Sequence, residues 1–163
     1  FIEHELLYNV KGEVPDEGVE YTVPLNTADI KRQGRDVTIV TFSRMLHVAL
    51  PAAEDLAKEG IEAEVIDLRS IRPIDIDLIT DSVKKTNRVV IVEEGWKYYG
   101  TGQGLAALIY EHAFDYLDAP IHHVSGADVP MPYAKVLERA AIPNKSEVIT
   151  AVKSIVPAAL VHR

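Results

Sequence analysis

Short β-branched runs alternate with stretches of helical spacing along most of this chain. Val37-Thr38-Ile39-Val40-Thr41-Phe42 is apolar on both sides, as a strand covered on both faces is. Ala49, Ala52, Ala53 and Leu56 then share one helical stripe, Gly60 is placed to end it, and Pro51 fits if it lies in the first turn. The pair repeats. Glu64–Leu68 predicts a second strand, and a helix from about Asp75 places Ile76, Ile79 and Val83 on one face, with Lys84 and Lys85 near its carboxyl end, where the dipole favours cations. Arg88–Val92 is the strongest strand signal. Gly104–Tyr116 predicts a well-buried helix, Ile121–Ser125 a fourth strand, and Asn144–Val156 a last helix with Asn144 and Glu147 at capping-box spacing and Val148, Val152 and Ile155 as its seam.

Residues 9–35 break the pattern. Gly12, Pro15, Gly18, Pro24 and Gly34 stand among charges, too dense a mixture of turn formers for a regular element, and predict a linker. Phe1–Glu5 reads as the tail of a strand already in progress, and a chain opening on Phe1 is expected to be a fragment. Strands alternating with helices of this length call for a mostly parallel sheet, because a parallel crossover needs about a dozen residues. The expected architecture is one three-layer α/β/α domain.

Composition agrees: 163 residues, 47% apolar and 26% charged, suffice for one real core. The net charge of −8, with scattered Lys and Arg, argues against a nucleic-acid surface. The absence of cysteine excludes disulfides, zinc-thiolate sites and thiol nucleophiles. No apolar run approaches the roughly 20 residues of a membrane span.

Several residues invite chemistry. Gly100-Thr101-Gly102-Gln103-Gly104 follows a strand and opens a helix, where a phosphate can rest on free N–H groups; close packing of loop and helix is the competing reading, and the dinucleotide fingerprint is incomplete. Glu93 and Glu94 end a strand where open sheets place ligands, but successive strand residues point to opposite faces. His122 and His123 share that defect as a metal pair, and His47 has no nucleophile candidate beside it. Trp96, Tyr98 and Tyr99 crowd one short loop, which suits a protein interface or core packing. Asp128–Tyr133 is stiffened by two prolines, as a contact surface is.

Four stretches carry a resemblance: Phe-Ile-Glu-His-Glu-Leu-Leu-Tyr at 1–8, Ser-Val-Lys-Lys-Thr-Asn-Arg-Val-Val-Ile-Val-Glu-Glu-Gly at 82–95, Phe-Asp-Tyr-Leu-Asp-Ala-Pro at 114–120 and Ala-Asp-Val-Pro-Met-Pro-Tyr-Ala at 127–134. In order and spacing they resemble the beta subunit of the decarboxylating component of pyruvate dehydrogenase. Leu-Arg-Ser-Ile-Arg-Pro-Ile at 68–74 is similar to a segment shared by transketolase-like enzymes generally. The resemblance implies a division into the end of an upstream pyrimidine-binding domain (1–8), a linker (9–35), a transketolase carboxy-terminal-type domain (36–156) and a tail (157–163).

It further implies oxidative decarboxylation of pyruvate with reductive acetylation of lipoyl groups. Thiamine diphosphate and magnesium would lie in the holoenzyme, between an alpha subunit and the beta subunit's amino-terminal domain. The family's activating glutamate and active-site histidine match nothing here, so no catalytic, cofactor-binding or metal residue is carried over, and the chain alone is expected to be inert. Its implied work is assembly: pairing with a second beta subunit, for which Trp96, Tyr98, Tyr99 and Tyr133 are the candidates, and docking of the dihydrolipoyl acyltransferase's subunit-binding domain, for which the family's acidic position matches Asp118. Bacterial cytoplasm or mitochondrial matrix is the implied location. The alternatives are an acetoin or branched-chain 2-oxoacid dehydrogenase subunit and a non-enzymatic docking module.

Overall fold

The computed structural model describes residues 1–157. After a 3₁₀ turn at Glu5–Leu7 come β1 (Asp29–Arg32), β2 (Val37–Thr41), α1 (Leu46–Lys58), β3 (Ala63–Asp67), α2 (Ile76–Thr86), β4 (Val89–Trp96), α3 (Thr101–Ala113), β5 (His122–Gly126), α4 (Lys135–Ala141) and α5 (Lys145–Ile155). One sheet holds all five strands in the order β1-β3-β2-β4-β5. β2, β3, β4 and β5 are parallel, and β1 closes one edge antiparallel to β3.

Each face of the sheet has its own core. Val37, Ile39, Val65, Val90 and Val92 pack on Ala49, Ala53 and Leu56 of α1 and Val148 and Val152 of α5. Val40, Ile66 and Ile91 pack on Ile79 and Val83 of α2 and Leu105 and Ile109 of α3. Burial of each such aliphatic side chain contributes about 1.5–3 kcal/mol. This is the expected three-layer α/β/α fold. Among the described residues, no helix is long and apolar enough to cross a membrane.

The helix ends follow the sequence closely. The Asp75 carboxylate accepts from Leu78 N–H at 3.2 Å and from Ala28 N–H at 3.0 Å, capping α2 and holding the start of β1. Asn144 and Glu147 form the expected capping box on α5. Gly60 takes a positive φ of 86° just past α1.

Five local readings need correction. No strand occupies Phe1–Glu5; His4 instead caps the 3₁₀ turn, its Nδ1 accepting from Leu6 N–H at 3.2 Å. The span read as linker contains β1, whose charged Asp29, Lys31 and Arg32 suit an edge strand and hide it from a hydrophobic pattern. Pro51 lies at the sixth residue of α1; it and His47, whose carbonyl loses the bond, are exposed, so water can satisfy the vacant acceptor. α3 begins at Thr101, not Gly104, and passes into a 3₁₀ turn at Phe114–Tyr116. α4 escaped notice because it buries only Ala141 and so carries no apolar seam. The tail beyond Pro157 lies outside the described residues.

Candidate docking and assembly surfaces

The carboxyl end of β4 organises most of the residues singled out above. Glu93 and Glu94 are adjacent, and the strand's alternation sends them apart. Glu93 is 3% exposed and accepts from Gly102 N–H at 2.9 Å and from His123 Nε2 at 2.8 Å. Its charge thereby lies at the amino terminus of α3, where the helix dipole favours an anion. The carboxylate fills the place that Gly100–Gly104 offered to a phosphate, which settles the choice of readings for that loop. A Cβ at Gly100 would fall 2.5 Å from Glu93 Oε1, and one at Gly102 2.8 Å from the same atom, so both glycines are required by close packing.

Glu94 points elsewhere, accepting from Arg44 Nη1 at 2.5 Å and from His4 Nε2 at 2.9 Å. Because His4 Nδ1 accepts a backbone bond, the imidazole hydrogen belongs on Nε2. His122 and His123 likewise diverge: His123 turns to Glu93, and His122 Nδ1 lies 3.3 Å from Ser154 Oγ. His47 is exposed on α1. Among the described residues, no three histidines or carboxylates are grouped to hold a metal ion. The Ser154–His122 contact is not a nucleophile–base pair, because Ser154 Oγ donates to the Ala151 carbonyl at 2.7 Å.

The aromatic loop emerges at the surface directly after this anchored strand end. Tyr99 is fully exposed, and Trp96 and Tyr98 are more than half exposed. Core packing is thereby ruled out for them. Trp96 Nε1 donates to the Val129 carbonyl at 3.0 Å, which ties the loop to the proline-stiffened segment carrying the fully exposed Tyr133. Val129, Met131, Val136 and Leu137 are exposed in the same stretch. Apolar surface gathered in this way is of the kind that interaction sites present.

Asp118 stands on a different part of the molecule, beyond the 3₁₀ turn after α3. Its carboxylate is 57% exposed and accepts from Arg88 Nη2 at 2.8 Å, while its N–H donates to the Asn87 carbonyl at 2.9 Å. Arg88 was not singled out from the sequence, where it is simply the first residue of a strand signal. Among the other carboxylates, Asp55 is held down at about 2 by hydrogen bonds from Lys145 and Lys58, and burial raises Asp67.

The family described as Transketolase, C-terminal domain, matches residues 26–148. The chain belongs to that family. It is 54% identical over 157 residues to the mitochondrial pyruvate dehydrogenase E1 component subunit beta of Dictyostelium discoideum, covering 95% of this chain and 44% of the relative. It is 53% identical over 155 residues to the corresponding subunit of Rickettsia felis, covering 95% and 47%. A solved split-gene transketolase, described as an inactive beta4 tetramer, superposes with a TM-score of 0.71 at 30% identity over 88% of this chain and 45% of that one. The chain therefore spans less than half the length of each relative. The resemblance carried by the four sequence stretches is borne out by these relatives.

Proposed function

We propose that this chain is the carboxy-terminal half of a pyruvate dehydrogenase beta subunit and that its own work is assembly and docking. In the whole enzyme the reaction is thiamine-dependent oxidative decarboxylation of pyruvate with acetyl transfer to a lipoyl group. The identity to beta subunits from an amoeba and a bacterium supports this, and relatives of both kinds fit a mitochondrial matrix or a bacterial cytoplasm. Residues 1–8 close the upstream pyrimidine-binding unit, and residues 36–156 form the transketolase-type domain.

Thiamine diphosphate and its magnesium belong with the alpha subunit and the upstream half. The residues present do not fit a diphosphate, because the amino terminus of α3 already holds the Glu93 carboxylate. A second carboxylate-repelled anion there would meet like charge.

The observation that carries the assembly role is the exposed aromatic surface of Trp96, Tyr98, Tyr99 and Tyr133, whose two segments are tied by the Trp96–Val129 bond. We assign it to the contact with a second beta subunit. Asp118 is the docking carboxylate for the basic subunit-binding domain of the acyltransferase, and Arg88 holds it in place. Surface plasmon resonance against that domain tests the docking. Truncating one partner of a charge pair that an interface buries costs about 2–5 kcal/mol, so if docking buries Asp118, Asp118→Ala should dissociate much faster than the parent. Equal dissociation rates would remove Asp118 from the interface.

A further inference from the structure

β2 and β4 are neighbours in the sheet, but the chain leaves β2 through α1 on one face and leaves β4 through α3 on the other. The crevice beyond their carboxyl ends is therefore the switch point where open α/β sheets take their ligands. Here it holds the protein's own side chains. Ser43, just past β2, has a left-handed φ of 53°, which a residue other than glycine keeps where its surroundings enforce it. Arg44 follows and donates from Nη1 to Glu94 Oε1 at 2.5 Å, while His4 Nε2 donates to Glu94 Oε2 at 2.9 Å. His4, Glu94 and Arg44 are 24%, 27% and 28% exposed, so these charges are partly desolvated and salt screens them less than a surface pair.

This contact fastens the first segment of the chain. Among the described residues, every other hydrogen bond made by residues 1–10 stays within that segment, and the 3₁₀ turn at Glu5–Leu7 buries no side chain. No hydrogen bond from residues 11–27 reaches the domain either; the next is Ala28 N–H to Asp75. Residues 5–27 thus form a strap pinned at both ends, by His4 on the sheet and Ala28 on α2. Ile2, Leu6 and Tyr8 stand exposed around His4, apolar surface that the domain does not cover. The relatives have more to cover it with, since this chain spans 44% and 47% of them.

We propose that the switch-point crevice is a docking site for the upstream unit of the same subunit, with His4 the seated group and Glu94 and Arg44 the clamp that holds it. This rests on the reading of residues 1–8 as the close of that unit. Glu94 supplies the acceptor for His4, and Arg44 holds Glu94 in place by taking its other oxygen. Both are positioning residues, which set the direction from which the upstream unit meets the sheet. The ligand place of the fold has become a joint between domains.

The chain has no cysteine, so spin labels at Leu6→Cys and Glu54→Cys, both exposed, report where the first segment lies against α1. Double electron–electron resonance should give a narrow distance distribution in the otherwise unchanged chain, and one about twice as broad or more in Glu94→Ala and in His4→Ala. His4→Gln, whose side-chain amide can still donate to Glu94, should stay narrow. Circular dichroism checks the fold of each variant. If Glu94→Ala fails to fold, His4→Ala decides, because His4 lies outside both cores. A broad distribution before any substitution in the clamp, or equal widths before and after, overturns the inference. In the whole beta subunit assembled with its alpha partner, Glu94→Ala should raise the thiamine diphosphate concentration for half-maximal turnover about threefold or more, since a small misplacement far from the chemistry is costly. An unchanged concentration overturns the joint and leaves the proposed function standing. An unsubstituted assembly that does not turn over pyruvate overturns the proposed function instead, and the label widths then decide the clamp by themselves.

Discussion

Two glycines in α3, two residues apart, should respond to alanine with opposite signs. Gly104 has no heavy atom within 4 Å of the place its Cβ would take, so Gly104→Ala gains helix propensity at no steric cost, about 0.8–1 kcal/mol. At Gly102 the new methyl would overlap His123 Nε2 and lie 2.8 Å from Glu93 Oε1. Those two atoms are themselves hydrogen-bonded at 2.8 Å and almost fully buried, so neither can swing into solvent. Losing a hydrogen bond to a charged group costs about 1.5–3 kcal/mol, which exceeds the propensity gain of at most about 1 kcal/mol. The expected net effect of Gly102→Ala is a destabilisation of about 0.5–2 kcal/mol. In a chain of this length, 1 kcal/mol moves Tm by about 2–4 °C. Thermal melts of the two variants and the parent should therefore fall in the order Gly102→Ala, parent, Gly104→Ala. A Gly102→Ala protein melting at or above the parent would show that the Glu93–His123 contact is not the constraint on that glycine.

The exposed Trp96–Tyr133 surface should drive weak self-association, and sedimentation equilibrium of Tyr99→Ser/Tyr133→Ser should shift toward monomer; an unchanged distribution would move the contact elsewhere. Asp55, held at about 2 by Lys145 and Lys58, has a folded-state pKa below its unfolded value, so its stabilisation is present above about pH 4 and is lost as pH falls toward 2. Asp55→Asn should accordingly flatten the acid limb of a denaturation curve in that window, and an unaltered limb would count against the contribution. Titration calorimetry with magnesium present should show no binding of thiamine diphosphate by this chain, and micromolar binding would contradict the placement of the cofactor in the other parts of the enzyme.

The sequence carried the core because the core obeys simple periods. β2, β3 and the first half of β4 are runs covered on both faces, and α5 announces itself through Asn144, Glu147 and a seam at Val148 and Val152. β1 and α4 were missed for the converse reason. One is a charged edge strand and the other a short helix with a single buried residue, so neither displays a hydrophobic period. The aromatic loop could be named but not placed, since Trp96, Tyr98 and Tyr99 would read the same if they filled the core.

What the sequence determined by itself was the layered fold, the divergence of Glu93 from Glu94 and the kinship carried by its motifs, all of which depend on local order along the chain. Only the tertiary structure decided what each polar group faces. Glu93 meets His123 from 30 residues away, Glu94 meets His4 from 90 residues away, and Asp118 is held by Arg88 from across 30 residues. A carboxylate's partner is set by which strands become neighbours in the sheet, and that adjacency is fixed by burying both faces of β2 and β4 at once, a condition on the whole chain that no local pattern records.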